Sequence, residues 1–182
     1  MKTTYVFFAD GFEEVEAMTC VDVMRRAGLP VVTVSINPEL EVTGAHDVTM
    51  VADSLYDDND YSDAEWLVLP GGMPGATNLA DHEPLCDELV AQVKRGGKVG
   101  AICASPSIVL APLGILDGRD AVCYPGMEAP REAVRWGQGP VAIDGNVVTG
   151  NGPAAAAAFA LAMVSCSMGA DVANAVAAGM LL

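Results

Sequence analysis

Residues 98–106, Lys-Val-Gly-Ala-Ile-Cys-Ala-Ser-Pro, take an apolar strand directly into a cysteine and then into a helix start, with no spacer between them. Val99, Ala101 and Ile102 suit a sheet interior, and Pro106 suits a first helical turn, where a missing N–H removes no intrahelical bond. A strand that turns so sharply into a helix belongs to an open α/β sheet, and the residue at the turn stands at the sheet's carboxyl edge. Cys103 holds that place. A sulfur facing a helix N-terminus is expected to have a lowered pKa and to act as a nucleophilic thiolate. A buried cysteine is also an ordinary small apolar core residue, so the local pattern leaves both readings open.

The surrounding chain repeats the strand–helix grammar. Tyr5–Phe8 reads as a buried strand, and Glu13 to Gly28 as an amphipathic helix with Arg25 and Arg26 in its last turn and Gly28 as its stop. Val31–Ile36 is a second strand, and 41–51 alternates in short segments that suit an added hairpin or edge strands. Trp66–Leu69 is a strand running into Pro70-Gly71-Gly72, Glu83–Arg95 a helix stopped by Gly96-Gly97, and Ser105–Leu110 the start of the helix after the elbow. Ala121–Tyr124 is predicted as a strand and Glu128–Trp136 as a short helix. Val141–Ile143 and Val147–Thr149 are predicted as a hairpin around Asp144-Gly145-Asn146, and a long Ala-rich helix starts at Pro153. This alternation implies α/β architecture: a mostly parallel sheet with right-handed crossovers and helices on both faces. With 182 residues and 52% of them hydrophobic, 1–182 is expected to form a single domain around one core.

Charge narrows the partners. Nine basic against 24 acidic residues, net −15, leave no electrostatic footprint for nucleic acid or an anionic membrane, so small molecules or proteins are expected. The acidic stretch 53–65 has spacing loosely like a calcium loop, but its glycine and terminal glutamate are out of register, and it reads as a solvated loop. Five scattered cysteines without a C-x-x-C suggest neither a disulfide framework nor a metal site, and point to a reducing, cytoplasmic setting. The apolar run before Asp10 is too short for an export signal. After Pro153, Ser165, Ser167, Gly169, Asp171 and Asn174 interrupt the apolar run, so two packed helices are expected rather than a membrane span. Their apolar surface suggests a homodimer.

Three segments converge on the carboxyl edge: 10–16, ending in Glu16, Leu69-Pro70-Gly71-Gly72, and Cys103. Gly-x-Glu-Glu-x-Glu at 11–16, Val-Asp-Val-Met-Arg-Arg-Ala-Gly at 21–28, Leu-Pro-Gly-Gly at 69–72, Ala-Ile-Cys-Ala at 101–104 and Gly-x-Gly-Pro at 150–153 occur in that order over almost the whole chain. Together they resemble the ThiJ/PfpI superfamily, on the branch of the parkinsonism-associated protein deglycase and its bacterial homologues. The resemblance implies a flavodoxin-like three-layer sandwich, usually homodimeric, with an oxidisable elbow cysteine paired to a glutamate. Cys103 falls on the nucleophile and Glu16 on its partner; the N–H groups of Gly72 and Ala104 fall where an oxyanion would be held, with Gly71 beside them. A carboxyl in a semi-buried pocket beside sulfur should have a raised pKa and could move protons.

The activity so implied is cofactor-independent conversion of α-oxoaldehydes such as methylglyoxal, or of their early adducts with amines (glycated amines). The competing reading is a redox-responsive stress protein or holdase chaperone whose Cys103 is oxidised to the sulfinic acid. Ala104 stands where the protease-like branch carries a histidine, and both histidines, His46 and His82, precede Cys103, whereas glutamine amidotransferases need one far downstream. Neither of those chemistries is therefore expected. Tyr124 and Asn151 stand where some relatives carry a histidine and a basic residue. Glu13 and Glu14 read as complements to a helix N-terminus, and Cys20, Cys86, Cys123 and Cys166 as structural.

Overall fold

In the computed structural model, which describes residues 1–130 and 132–182, the uninterrupted apolar runs become fully buried parallel strands, as a sheet covered on both faces requires. The chain forms β1 (Thr4–Phe8), α1 (Glu14–Arg26), β2 (Val31–Ser35), the hairpin β3 (Glu41–Thr43) and β4 (Thr49–Val51), and a short edge strand β5 (Ser54–Leu55). There follow β6 (Trp66–Leu69), α2 (Gly75–Asp81), α3 (Glu83–Lys94), the elbow strand β7 (Lys98–Ile102) and a π-helical turn over Pro106–Leu110. The chain continues through β8 (Asp120–Ala121), β9 (Arg135–Trp136), β10 (Val141–Asp144), β11 (Val147–Gly150), α4 (Ala156–Met168) and α5 (Ala170–Gly179). The main sheet runs β10-β11-β7-β6-β1-β2-β5, and every neighbouring pair is parallel except β10 with β11.

Side-chain alternation divides the core into two layers. Val6, Phe8, Trp66 and Val68 point to the face covered by α1, α4 and α5, with Met24, Phe159 and Met163. Tyr5, Phe7, Leu67 and Leu69 point to the opposite face, beneath α2, α3 and the π-helical turn, with Leu79, Leu89 and Leu110. Close approach of α4 to the elbow strand depends on Gly100, where a Cβ would lie 2.5 Å from Met163 Sδ. Register then aligns the strand ends. Val6 pairs Val68, Val68 pairs Gly100, and Gly150 pairs Ile102, so the loops after β1, β6, β7 and β11 emerge side by side at the carboxyl edge.

Several expectations need correcting. No helix forms across the described residues of Glu128–Trp136, and Arg131 within that span lies outside them. The backbone bonds instead to 118–121: Gly118 N–H to Ala133 O at 2.7 Å, Arg135 N–H to Arg119 O at 3.0 Å and Gly137 N–H to Ala121 O at 2.8 Å. The predicted strand Ala121–Tyr124 is reduced to Asp120–Ala121, because Val122 N–H goes to Thr149 Oγ1 and Tyr124 N–H to Cys103 O. The helix after the elbow is wound as a π turn, with Ala111 N–H reaching Pro106 O and Ile115 N–H reaching Leu110 O. The acidic loop holds β5, and its Asp53 carboxylate accepts from Arg25 and from the backbone and hydroxyl of Thr33. α4 turns Phe159, Ala160, Met163 and Val164 into the chain's own core, while Ala158 on α4 and Ala170, Ala175 and Ala178 on α5 stay exposed. The exposed apolar side chains include Val15 on α1 and Val48 and Val51 on the β3–β4 hairpin. Among the described residues, no helix is long and apolar enough to cross a membrane.

Candidate active site

Cys103 sits one residue past β7 with φ of +64°, a left-handed conformation that a non-glycine residue adopts only when its surroundings impose it. Two backbone bonds do so: Cys103 N–H donates to Gly150 O at 2.9 Å, and Tyr124 N–H donates to Cys103 O at 2.8 Å. The turn aims the side chain toward the end of β6, where it is 8% exposed and therefore reachable only by a small reagent. From the first turn of α1, the fully buried Glu16 side chain comes to the same point. Its Oε2 accepts the Gly71 N–H at 2.7 Å, and among the described residues none is placed to hydrogen-bond its Oε1.

Gly71 is the residue about which the two groups meet. A Cβ there would lie 2.5 Å from Cys103 Cβ, 2.7 Å from Glu16 Oε2 and 3.0 Å from Cys103 Sγ, so only glycine leaves them in contact. Gly72 takes φ of +90°, and a Cβ on it would strike Gly11 O and the Glu13 backbone nitrogen at 2.4 Å. Ser105 Oγ donates to Pro70 O at 2.5 Å and ties the elbow to the β6 loop. Nothing in the composition of 69–72 singles out Ser105; its contact is legible only once β6 and β7 are known to be neighbours.

Electrostatics here departs from the helix-terminus argument. Burial, followed by the neighbouring Glu16 carboxylate, pushes the Cys103 thiol up to about 12, while the backbone N–H groups of Gly72 and Ala104 pull it down. The expected lowering of the resting thiol pKa is therefore overturned, because desolvation and a like charge outweigh two N–H dipoles. Burial likewise raises Glu16 to about 7, against the opposing pull of the Gly71 N–H and Cys103. The two acids form one coupled unit. With its carboxyl protonated, Glu16 no longer repels a thiolate and can donate to it, leaving Gly72 and Ala104 N–H groups to hold the negative charge.

All five residues expected at the site, Glu16, Gly71, Gly72, Cys103 and Ala104, thus meet at the carboxyl edge. The histidines are engaged elsewhere. His46 is exposed and bonds Glu14 at 2.8 Å, while His82 accepts the Leu85 N–H and lies edge-on to Tyr56. Glu13, Glu14 and His46 bring potential metal-ligand atoms within 4.8 Å of one another, but Glu14 receives both the His46 ring and its backbone N–H, so the grouping docks the hairpin on α1. The other thiols, Cys20, Cys86, Cys123 and Cys166, are all raised chiefly by burial. A cavity of about 380 Å3 adjoins the elbow beside Tyr124 and Asn151. A larger one of about 550 Å3 lies between Arg26 and Asp171, and none of its lining residues carries a nucleophile.

Residues 2–166 match the DJ-1/PfpI family. The chain belongs to that family. Among DJ-1/PfpI relatives, it is 39% identical over 156 residues to Protein DJ-1 homolog B of Arabidopsis thaliana, covering 86% of this chain and 36% of that protein. It spans 40% of homolog A from the same plant, so those relatives extend well beyond the matched region. It is 33% identical to the glutathione-independent glyoxalase DJR-1.2 of Caenorhabditis elegans, covering 89% of this chain and 86% of that one. The structure of oxidized Toxoplasma gondii DJ-1 superposes with a TM-score of 0.93 at 33% identity, covering 100% and 98% of the two chains. The DJ-1-like α/β fold is therefore common to this chain and its family.

Proposed function

We propose that the chain is a cofactor-independent glyoxalase or deglycase-type enzyme acting on small α-oxoaldehydes, or on their early adducts with amines, through Cys103 and Glu16. The observation that carries this reading is the fully buried Glu16 carboxyl, held by the Gly71 N–H at the point where Gly71 meets Cys103 Sγ and raised to about 7. Its proton affinity suits transfer in either direction near neutrality. The glyoxalase relative supports the same chemistry.

In this reading, the Cys103 thiolate adds to the aldehyde carbon of methylglyoxal, forming a C–S bond and an oxyanion held by Gly72 and Ala104, which takes a proton to give the hemithioacetal. Glu16 carries the proton from that carbon to the neighbouring ketone-derived carbon, leaving a lactoyl thioester. Water then cleaves the C–S bond, returning the thiol and releasing lactate. Neither an external oxidant nor a reductant is required, since the aldehyde carbon is oxidised as the ketone carbon is reduced.

Lactate formation from methylglyoxal tests the proposal. Wild type is expected to turn over, and Cys103→Ser to lose ~100-fold or more, because a serine hydroxyl is far less ionised than a thiol. A folded Cys103→Ser protein with unchanged turnover would remove the nucleophile. The second reading, redox sensing, is favoured by the same N–H donors, which could hold sulfinate oxygens. Absence of wild-type turnover, together with a two-oxygen mass increase on Cys103 under mild peroxide, would favour it. We further propose a homodimer as the working form, supported by the exposed Val15, Val48 and Val51.

A further inference from the structure

The cavity beside the elbow is tied to Cys103 through the backbone at each of its two lining segments. One wall is Tyr124-Pro125 and the other runs from Asn151 through Gly152 and Pro153 to Ala154. Each wall is bound to the reactive residue or its strand: Tyr124 N–H donates to Cys103 O, and Cys103 N–H donates to Gly150 O, one residue before Asn151. A molecule in this cavity therefore lies next to the turn that carries the thiol. Tyr124 is 46% exposed, although a phenol of this size normally covers its apolar face. Gly152 lies against one side of the ring, where a Cβ would be in ordinary contact with Tyr124 Cδ2 at 3.4 Å.

The chemistry of the walls is one-sided. None of the described lining residues carries a charge, and Asn151 is the one amide side chain among them. The adjoining smaller cavity, which shares Pro125 and Asn151, is bordered by the Glu128 carboxylate, and the chain as a whole carries −15. A substrate with a carboxylate or phosphate would lose its hydration here without gaining a counter-charge. An uncharged ring or bulky apolar group would lie between the Tyr124 face and Pro153 and displace water from apolar surface.

We propose that this cavity holds the uncharged, aromatic or bulky apolar substituent of a 2-oxoaldehyde, and that the Tyr124 ring is its specificity-determining wall. The proposal rests on the reading of Cys103 as a nucleophile toward oxoaldehydes, while the recognition surface it names is separate from the Cys103–Glu16 pair.

The test compares kcat/KM for phenylglyoxal, 4-carboxyphenylglyoxal and methylglyoxal on wild type, Tyr124→Ala and Tyr124→Phe. Wild type is expected to favour phenylglyoxal over each of the other two by about tenfold, equivalent to ~1.4 kcal/mol. Tyr124→Ala should reduce the phenylglyoxal-to-methylglyoxal ratio about tenfold, mainly through KM, and Tyr124→Phe should restore it. Equal ratios in all three proteins, or a wild-type preference for the carboxylated probe, overturn the proposal while leaving the enzymatic reading intact. A binding readout separates the two failures. Acetophenone has no aldehyde to react and should protect Cys103 from iodoacetamide in wild type, with about tenfold weaker protection in Tyr124→Ala. Such protection without turnover of any aldehyde keeps the aryl site and removes the enzymatic reading; no protection overturns the site.

Discussion

At the scale of single residues, the chemistry depends on one proton and two acids. Burial holds the Glu16 carboxyl at about 7 rather than 4.5, so between those pH values the folded chain keeps a proton that the unfolded chain has lost. Stability from this group is in full below about pH 4.5, declines as the pH rises through about 7, and is level above that. Glu16→Gln removes the titration while keeping an oxygen for the Gly71 N–H and offering an N–H to the sulfur. Its urea unfolding should lack the wild-type decline across this window, and at pH 8 it should be more stable than wild type by up to about 3 kcal/mol, at ~1.4 kcal/mol per pH unit of raised affinity. With the carboxylate gone, the Cys103 thiol should ionise more readily. Iodoacetamide labelling at neutral pH should accelerate about tenfold even as lactate formation falls by ~100-fold or more. Parallel stability curves with unchanged labelling would show that Glu16 is no more than a partner of the α1 N-terminus.

At the scale of elements, the site is a meeting of strand ends, and one of its joints lies between the end of β6 and the elbow. The Ser105 hydroxyl, fully buried, spans it by donating to Pro70 O. Ser105→Ala leaves that carbonyl without its donor, so a loss of ~1–3 kcal/mol is expected in denaturant unfolding. It should also reduce turnover several-fold, because Pro70 leads directly into the Gly71 and Gly72 N–H groups. A stability loss with unaltered turnover would confine Ser105 to a structural role. What could be read from the sequence follows the same division. β1, β6, β7 and α1 were legible because apolar runs and helix stops are local signals, and Cys103 because it lies where a strand meets a helix start, whereas Glu16 was set apart from Glu13 and Glu14 by the family resemblance. The 105–136 region was less legible. There the backbone bonds go to partners far along the chain, such as Tyr124 N–H to Cys103 O and Arg135 N–H to Arg119 O, and no local periodicity records those pairings. α2 escaped because Pro74 and Gly75 at its start look like loop residues. The direction of the Cys103 shift escaped for another reason: a helix terminus is visible in sequence, whereas burial of the thiol against Glu16 is not.

At the scale of the whole molecule, the hairpin of β3 and β4 links the surface to the site. Ala45 N–H donates to Phe12 O, Gly11 N–H to Thr43 O, and His46 to Glu14, so the hairpin grips the loop and first turn from which Glu16 projects. Val15 on that turn is 53% exposed, and Val48 and Val51 on the hairpin are 49% and 64% exposed. Apolar side chains left exposed on these two joined elements are suited to a second copy of the chain. Each copy carries −15, so association must overcome like-charge repulsion, and screening should favour it: the dimer is expected to tighten as salt rises toward ~0.15 M, where charges more than about 8 Å apart are largely screened. Light scattering at micromolar concentration should give twice the 18.8 kDa of one chain. The double variant Val15→Asp, Val51→Asp should give one chain's mass with an unchanged far-ultraviolet circular dichroism spectrum. Turnover in that monomer should also fall, since the hairpin that holds the start of α1 loses its cover, and the loss should appear in kcat because the displaced group is Glu16. A wild-type monomer at both low and moderate salt would instead mean that these valines tolerate water and that the Glu16 turn is held by the hairpin alone.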